Sequence, residues 1–260
     1  MDLGLHGRRA LVTGASRGIG RAVARRLAAE GCALHLAARS KEDLDAVANE
    51  LVRSHGVPVR VLPVDLSDRD AAERLAQQAS DADILVNNAG AIPAGSLDMV
   101  DDARWRQAFE LKPVGDVTLC RAMYAQLKER GRGAIVLVGG VAGERPVPGY
   151  VAGTVCNAAV MALGRALGGS SLTDGSHVVT VNPGAVLTDR IEAILQQKAA
   201  DLFGDPQRWR ELTSHLPGGR PAAPEEIADV ITFLASERAR WISGTVVTVD
   251  GGFCAANPGV

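Results

Sequence analysis

A glycine-rich loop near the beginning of the sequence has residue types and spacing that suit the binding of a phosphate group. The loop follows an apolar segment that ends at Val12, and it opens a helical pattern in which Ile19, Val23 and Leu27 recur about one turn apart. Backbone N–H groups and the positive end of the helix dipole attract an anion at such a helix start, and glycines let the backbone approach it closely. The pattern predicts a dinucleotide pyrophosphate site, and a tight strand-to-helix loop is the alternative. The candidate residues of this loop are Gly14, Ser16, Arg17, Gly18, Ile19 and Gly20.

The composition limits the classes of partner. The chain has 260 residues, of which 47% are hydrophobic and 22% are charged, and its formal net charge is −2. This balance argues against a nucleic-acid partner, which would need a basic face. The sequence shows no signal-peptide pattern and no apolar stretch of the roughly 18 residues that a membrane span requires. We therefore expect a cytoplasmic protein without a membrane or nucleic-acid partner.

The cysteines and histidines do not show the spacing of metal ligands. Cys32, Cys120, Cys156 and Cys254 are widely separated, and none of the five histidines is paired with another at a metal-binding distance. We expect reduced, mostly buried thiols and no metal site. His215 is the histidine that we consider as a proton donor, because it lies in the unusual segment described below.

Strand-like and helix-like segments alternate along the chain, which indicates an α/β fold with a parallel sheet covered by helices on both faces. Continuous apolar strands fit burial on both sides of the sheet. No linker, repeat or low-complexity block divides the sequence, so we expect residues 1–260 to form a single domain. The predicted strands are Arg8–Val12, Ala33–Ala37, Val57–Val64, Ile84–Asn87, Ala134–Val138, Val178–Asn182 and Thr245–Val249. The predicted helices are Ile19–Glu30, Glu42–Ser54, Asp68–Gln78, Trp105–Arg130, Val151–Leu167 and Pro224–Ala235.

The segment from about 185 to 221 departs from that alternation. It is long, contains several glycines and prolines, and follows the carboxyl end of a strand, where ligands bind in open α/β sheets. Long connections inside compact domains are commonly lids or binding loops. We expect a substrate lid with one short helix, in which Phe203 and Trp209 supply an apolar wall. A plain surface insertion is the alternative.

Three further motifs each follow a predicted strand, in chain order: Asn87-Asn88-Ala89-Gly90, Asn182-Pro183-Gly184 and Asp250-Gly251-Gly252. Together with the glycine-rich loop, these motifs resemble those of the short-chain dehydrogenase/reductase family, and the resemblance runs nearly end to end. It implies a doubly wound parallel sheet of Rossmann type, a nicotinamide cofactor, hydride transfer and an assembly of subunits.

The resemblance also implies cofactor contacts residue by residue. Asp65, with Leu66 beside it, should contact the adenine. The residues that should line the ribose are Asn87, Ala89 and Gly90. The residues that should flank the nicotinamide are Pro183, Gly184, Val186 and Thr188.

The end of the second predicted strand favours NADP(H) over NAD(H). A free ribose 2′-hydroxyl is typically held by an acidic residue about 20 residues past the glycines. Here the chain has Arg39 and Ser40 instead, with Arg17 nearby in the glycine-rich loop. Guanidinium groups suit a phosphate dianion because they present several fixed donors.

The catalytic positions depart from the family's pattern of Asn, Ser, Tyr and Lys. In that pattern a phenol transfers a proton, a neighbouring ammonium group lowers the phenol's pKa, and a serine hydroxyl hydrogen-bonds the substrate oxygen. An ungapped comparison places Lys112 at the asparagine, Gly153 at the tyrosine and Asn157 at the lysine. Gly139-Gly140 stands where two serines are usual.

Tyr150 and Lys112 could restore the missing chemistry from new positions. Tyr150 lies three residues, about one helical turn, before Gly153. Lys112 is one of only four lysines and stands beside Pro113 in a helical segment. The hypothesis is that Tyr150 transfers the proton, Lys112 tunes it and Asn157 supplies a further hydrogen bond. Alternatively, Tyr150 packs at a helix start and Lys112 is a surface side chain.

Two arginines bear on the class of substrate. Arg145 and Arg190 near one pocket would suit an acidic substrate, whereas structural ion pairs with Glu144 and Asp189 are the alternative.

The leading hypothesis is an NADP(H)-dependent oxidoreductase that transfers hydride between the nicotinamide and a small carbonyl or alcohol. A dinucleotide-binding protein without hydride transfer is a second hypothesis, and an enzyme with altered chemistry, such as dehydration or epimerisation, is a third. By resemblance, we expect a homotetramer or homodimer with a small-molecule substrate.

Overall fold

The computed structural model describes residues 1–68 and 70–256, without the side chain of Arg190. Its strands are β1 (Arg9–Thr13), β2 (Ala33–Ala38), β3 (Val59–Pro63), β4 (Ile84–Asn87), β5 (Gly133–Val138), β6 (Ser176–Pro183) and β7 (Val246–Val249). Within the described residues these strands form one sheet in the order β3-β2-β1-β4-β5-β6-β7, and all neighbours are parallel. The strand order reverses between β1 and β4. In open α/β sheets, ligands bind at the carboxyl edge beside that point.

Helices cover both faces of the sheet. They are α1 (Gly18–Ala29), α2 (Lys41–His55), α3 (Ala71–Gln78), α4 (Asp102–Phe109), α5 (Gly115–Arg130), α6 (Val151–Ser171), α7 (Asp189–Phe203) and α8 (Pro224–Leu234). Short 3₁₀ turns occur at Val141–Gly143, Pro206–Thr213, Pro217–Gly219 and Glu237–Ala239.

Neighbouring residues of one strand enter two separate apolar cores. Val12 lies in a core with Leu27 of α1 and Ile231 of α8, whereas Leu11 lies in a second core with Leu119 of α5. All five side chains are fully buried. Successive side chains of a strand point to opposite faces, so a sheet that is covered on both sides needs apolar residues throughout. The prediction of a doubly wound parallel sheet with helices on both faces is confirmed.

The single helix predicted over Trp105–Arg130 is wrong in its middle. The structure separates α4 from α5 by a π-helical turn, Glu110–Val114, which contains Pro113. Proline has no backbone N–H, and its ring clashes with the carbonyl four residues earlier in a regular helix. A wider turn is one way for a helix to continue past it. Lys112 lies in this turn, and its side chain is buried.

Helix α6 corrects another expectation from the sequence. Within the part of the chain that the structure describes, it is the helix whose length and composition would allow it to cross a membrane, and many of its side chains are buried in the protein. The prediction that no segment meets this criterion is wrong. A core helix meets the same criterion, and α6 packs against β6 and β5.

The segment after β6 contains more regular structure than the predicted single short helix. Helix α7 has 15 residues, and the 3₁₀ turn Pro206–Thr213 packs against it. Backbone hydrogen bonds from Leu187 N to Ala222 O (2.8 Å) and from Ala222 N to Ala185 O (2.8 Å) join the two ends of the segment. Residues 185–222 therefore form a long insertion whose two ends are joined by hydrogen bonds, called the excursion below.

Candidate active site

The glycine-rich loop turns tightly between β1 and α1. Gly14 and Gly18 have φ values of +66° and +54°, in the region where a Cβ is unfavourable. A Cβ on Gly20 would overlap the Gly14 carbonyl oxygen. These positions therefore require glycine, and the first turn of α1 begins directly at the carboxyl edge of the sheet.

The loop after β4 is fastened to the glycine-rich loop by Thr13. The Thr13 Oγ1 accepts hydrogen bonds from the backbone N–H groups of Asn88 and Ala89, both at 2.9 Å, and it donates to Oδ1 of Asn87 at 3.1 Å. The Asn88 side chain donates to the Thr13 carbonyl oxygen at 3.0 Å. Two of the predicted cofactor loops thus lie side by side at the reversal of strand order.

The polar residues after β2 and β3 lie on the same edge. Arg39 and Arg17 are exposed, and the Ser40 hydroxyl caps α2 by accepting a hydrogen bond from Asp43 N at 3.2 Å. Burial acts to raise the pKa of Asp65, but hydrogen bonds from the Ser67 N–H and hydroxyl, with the charge of Arg39, leave that pKa below its usual value. The Asp65 carboxylate is therefore an anion held in a fixed orientation.

The residues after β6 connect the sheet to the excursion. Gly184 lies against Asp250, and a Cβ on Gly184 would be 2.9 Å from the Asp250 Cβ. The Thr188 hydroxyl caps α7 by accepting from Ile191 N at 3.4 Å. Its methyl group would lie 3.1 Å from a Cβ on Gly18, so the base of the excursion faces the glycine-rich loop. Among the other residues predicted here, Pro183 ends β6 and Val186 is buried.

The Tyr150 ring occupies the space of a side chain at position 153. Tyr150 directly precedes α6, and a Cβ placed on Gly153 would overlap the Cε1 and Cζ atoms of its ring. The backbone before α6 is fastened to the loop after β4, because Gly95 N donates to Gly149 O (3.0 Å) and Val151 N donates to Gly95 O (3.3 Å). A phenol ring thus stands where the family's tyrosine side chain would begin.

Lys112 is buried beneath the loop after β4. Its side chain is 3% exposed, which contradicts the alternative of a surface lysine. The ammonium nitrogen donates to the Ala89 carbonyl oxygen at 3.2 Å, and the Cδ atom would lie 3.2 Å from a Cβ on Gly90. The π-helical turn that carries Lys112 packs against α6. The Lys112 ammonium group therefore lies next to Ala89 and Gly90, two residues predicted to line the ribose.

The two glycines after β5 lie next to amide side chains. A Cβ on Gly140 would be 3.0 Å from Nδ2 of Asn157, and a Cβ on Gly139 would be 2.6 Å from Oδ1 of Asn182. Asn157 is 5% exposed, and Asn182 is fully buried and accepts from Gly140 N at 3.2 Å. Amide groups thus occupy the space that serine side chains would enter.

Arg145, which was expected near the substrate, contacts Phe253 in the segment after β7. Arg145 donates to the Phe253 carbonyl oxygen at 2.7 Å and lies 4.5 Å from the centre of the Phe253 ring. Glu144 accepts from the Thr248 hydroxyl at 2.6 Å. The expected ion pair between Arg145 and Glu144 is therefore wrong. The side chain of Arg190 is outside the described residues.

The aromatic residues of the excursion lie at its own packing surface. Trp209 is buried, with Arg210 over its ring at 4.6 Å, and Phe203 is partly exposed beneath Arg208 at 4.3 Å. His215 is exposed in a turn. In residues 1–68 and 70–256, no group of three or more His, Cys, Asp or Glu side chains is arranged to hold a metal ion.

The sequence interpretation missed Asp116, whose carboxylate lies 3.2 Å from the Lys112 ammonium nitrogen. The signal was present, because an acidic residue four positions after a lysine on a helix is a common pairing. It was overlooked because Lys112 itself was interpreted from its place in a family pattern.

Comparisons with known proteins agree with the fold and the motifs. A family model described as enoyl-(acyl carrier protein) reductase matches residues 14–254. The chain is 35% identical over 253 residues to glucose 1-dehydrogenase of Gluconobacter oxydans (strain 621H), an alignment that covers 95% of this chain and 91% of that protein. It is 31% identical over 251 residues to 2-keto-3-deoxy-L-fuconate dehydrogenase of Xanthomonas campestris pv. campestris, with coverage of 96% and 81%.

A solved structure matches over the full length. L-Sorbose reductase from Gluconobacter frateurii, complexed with NADPH and L-sorbose, superposes with a TM-score of 0.93 at 32% identity, covering 99% of this chain and 100% of that chain. The class of protein defined by these matches is a short-chain oxidoreductase. The chain belongs to the short-chain dehydrogenase/reductase family.

Proposed function

We propose that the protein is an NADP(H)-dependent oxidoreductase that interconverts a small carbonyl compound and the corresponding alcohol. The observation that carries the proposal is the position of the Tyr150 ring, which overlaps the place of a side chain on Gly153. The phenol ring of Tyr150 thereby enters the space in which the side chain of the family's proton-transferring tyrosine would begin at position 153.

The carboxyl edge of the sheet fits a dinucleotide. The loop between β1 and α1 leaves no room for a Cβ at Gly20, and backbone N–H groups at the start of α1 suit a pyrophosphate. Asp65, Asn87 and Thr188 follow the ends of β3, β4 and β6 on that edge. A nicotinamide bound there would supply or accept the hydride.

The preference for NADP(H) over NAD(H) rests on charge. Arg39 and Arg17 are both exposed beside the end of β2, and no acidic residue follows that strand directly. Guanidinium groups can donate several hydrogen bonds to a 2′-phosphate. The NADPH bound to the related L-sorbose reductase supports the same preference.

Tyr150, Lys112 and Asn157 would share the proton chemistry. The Tyr150 hydroxyl would give a proton to the substrate oxygen during reduction and take it back during oxidation. A nearby ammonium group from Lys112 would favour the phenolate form. The Asn157 amide, which lies in the space next to Gly140, would donate a hydrogen bond to the oxygen as negative charge develops there.

We propose a polyhydroxy carbonyl compound or alcohol as the substrate class, because relatives with 31–35% identity are named for glucose, 2-keto-3-deoxy-L-fuconate and L-sorbose, two neutral sugars and one sugar acid. A neutral member of this class is favoured by the contact of Arg145, one of the two arginines expected to bind an acid, with the Phe253 carbonyl oxygen. Activity on acids that is lost in Arg145→Ala, while activity on neutral ketones remains, would favour the acidic class.

The decisive experiment replaces the phenol. We expect Tyr150→Phe to lower kcat by about 10²–10⁴-fold, since the positioned proton donor is removed and the ring is kept. Tyr124→Phe is the matched control, because Tyr124 is the chain's other tyrosine and its hydroxyl bonds to Asp174, away from the site. Steady-state turnover of NADPH with sugars and simple ketones measures both variants. Unchanged turnover in Tyr150→Phe would refute the assignment.

A dinucleotide-binding protein without hydride transfer is the second candidate. The glycines at positions 139, 140 and 153 favour it, because each stands where the family has a functional side chain. It requires tight NADPH binding with no oxidation by any carbonyl compound. Altered chemistry, such as dehydration or epimerisation with a bound cofactor, would instead convert substrate without net use of NADPH.

We further propose a single domain, a homotetramer or homodimer and a cytoplasmic location. The four cysteines are free thiols, and three of them are buried, which suits a reducing compartment. Light scattering of the purified protein measures the number of subunits.

A further inference from the structure

A buried ion pair includes Lys112, one of the proposed catalytic residues. The Lys112 ammonium nitrogen is 3.2 Å from Oδ2 of Asp116, and the two side chains are 3% and 2% exposed. The pair Lys41–Asp45 has the same sequence spacing, but its side chains are 69% and 42% exposed. The two pairs therefore differ mainly in their burial.

Local geometry directs both members of the buried pair inward. Lys112 lies in the π-helical turn and Asp116 in the first turn of α5, so their side chains are neighbours along one helical surface. The Lys112 nitrogen also donates to the Ala89 carbonyl oxygen at 3.2 Å. One ammonium group thus joins α5 to the loop that is predicted to line the ribose.

The other groups that face the pair are neutral at physiological pH. Cys120 lies one turn further along α5, and Cys156 faces the pair from α6. Burial raises the pKa of both thiols, that of Cys156 to about 11. Among the described residues, Asp116 is therefore the carboxylate within ion-pair distance of Lys112.

The carboxylate is costly to bury. Desolvation raises the pKa of Asp116 to about 7, although the charge of Lys112 opposes that shift. Its Oδ2 atom accepts no well-aligned hydrogen bond from the described residues, even though the lysine is close. A buried ion pair is weak evidence for stability, because an apolar pair of similar size is often as stable. The pair instead suits a role in which the Lys112 ammonium group must be held in one position with its charge compensated.

We propose that Asp116 is the positioning residue of the site, which holds the Lys112 ammonium group against the Ala89 carbonyl oxygen and compensates its charge while Tyr150 transfers a proton. This inference rests on the proposed function of Lys112 and Tyr150. Asp116 acts through Lys112 and has no contact of its own with the substrate.

The first test is the pH dependence of kcat in Asp116→Asn. An opposite charge within about 4–6 Å favours the charged form of a group, so its removal leaves the buried Lys112 ammonium group without its stabilising partner. We expect the alkaline limb of the kcat profile to move to lower pH by about one unit or more. Asp45→Asn, the matched change in the exposed pair, should leave the profile in place. An alkaline limb that stays in place in Asp116→Asn overturns the proposal.

The second test needs no catalysis. Melting temperatures of Lys112→Met, Asp116→Asn and the double variant form a cycle that measures coupling between the two side chains. We expect Lys112→Met to lower the melting temperature of the wild type more than that of Asp116→Asn. Additive changes overturn the proposal. If Asp116→Asn alone does not fold, the double variant should fold, since it has no uncompensated buried charge, and its failure to do so also overturns the proposal.

These two tests separate the inference from the function on which it rests. If Tyr150→Phe leaves turnover unchanged, the proposed function is refuted, but non-additive changes in melting temperature still support the interaction of Asp116 with Lys112. If Tyr150→Phe lowers kcat as expected but the changes in melting temperature are additive, the proposed function stands and the positioning role of Asp116 is refuted.

Discussion

The cofactor half and the catalytic half of the carboxyl edge are built in different ways. Between β1 and β4, the loops are joined through backbone groups and the short side chain of Thr13, and glycines stand where the backbone itself must approach a ligand. Between β5 and α6, glycines stand where the ungapped comparison expects the family's functional side chains, and polar side chains of other residues lie in the space beside them. Backbone recognition depends on φ angles and open space, whereas side-chain chemistry depends on where each Cβ starts.

In the catalytic half, three glycines each face a larger side chain that fills the adjacent space. Gly153 faces the ring of Tyr150, Gly140 faces the amide of Asn157, and Gly139 faces the amide of Asn182. In each case a glycine is matched by a larger neighbouring side chain. Close packing explains this, since an unfilled void in a protein interior loses contacts.

After removal of the Tyr150 hydroxyl, the largest expected effect comes from a variant that breaks one of these pairs. A methyl group in Gly153→Ala would overlap the Tyr150 ring, so the ring must move. We expect kcat to fall by about 10²-fold, the usual consequence of displacing a reacting group by about 1 Å. Steady-state kinetics of the purified variant, with circular dichroism to confirm folding, provide the measurement.

Gly169→Ala is the control for that variant. Gly169 lies in the same helix, is exposed, and has no atom within 4 Å of an added Cβ. It should keep its kcat and gain slightly in stability, because alanine favours helices over glycine. If Gly153→Ala keeps its kcat, the ring position has no bearing on catalysis.

A smaller effect concerns the cofactor half. We expect Arg39→Ala to raise the Kd for NADPH about 10-fold and to leave the Kd for NADH nearly unchanged, since a hydrogen bond to a charged group contributes about 1.5–3 kcal/mol. Fluorescence titration measures both constants. Arg53→Ala removes an exposed arginine from α2 and should change neither. An equal loss for both cofactors would contradict a 2′-phosphate contact.

The smallest expected effect is a pH dependence of the free energy of unfolding, caused by the buried imidazole of His35 in β2. Burial, with the charges of Arg9 and Arg60, lowers the pKa of His35 to about 4. The unfolded chain therefore binds a proton near pH 6.5 that the folded chain does not, and the stabilising contribution present above that pH is lost as the pH falls towards 4. NMR titration of the His35 ring should show a neutral imidazole at pH 5.5. A midpoint at or above 6.5 would mean that the contact with Asp81, 2.7 Å from Nε2, outweighs burial.

The sequence predicted the fold well because its signals are local. Apolar runs marked the strands, and β4 was placed at the same residues that the structure shows, Ile84–Asn87. The break at Glu110–Val114 was not predicted, although Pro113 was visible, because a proline in a helical pattern indicates a disturbance without specifying its form. The extent of α7 was underestimated, because its apolar side chains do not form one buried face: Ile191, Ile194 and Leu202 are exposed.

The candidate site was predictable in part. Tyr150 and Lys112 were singled out because tyrosine and lysine are rare in this chain, and their roles stay predictions. Asp116 was missed, and Arg145 was expected either at an acidic substrate or in an ion pair with Glu144, whereas it contacts Phe253, 108 positions away in the sequence. Contacts of this kind have no periodic signature.

The sequence by itself determined the order of strands and helices, the glycine-rich loop and the edge at which a dinucleotide fits, because these depend on spacing and backbone conformation. Only the tertiary structure decided that Lys112 is buried with Asp116 and that the Tyr150 ring takes the space beside Gly153. The physical reason is that burial and excluded volume are properties of the packed chain. A lysine or a phenol has its chemistry altered by neighbours that the fold brings to it.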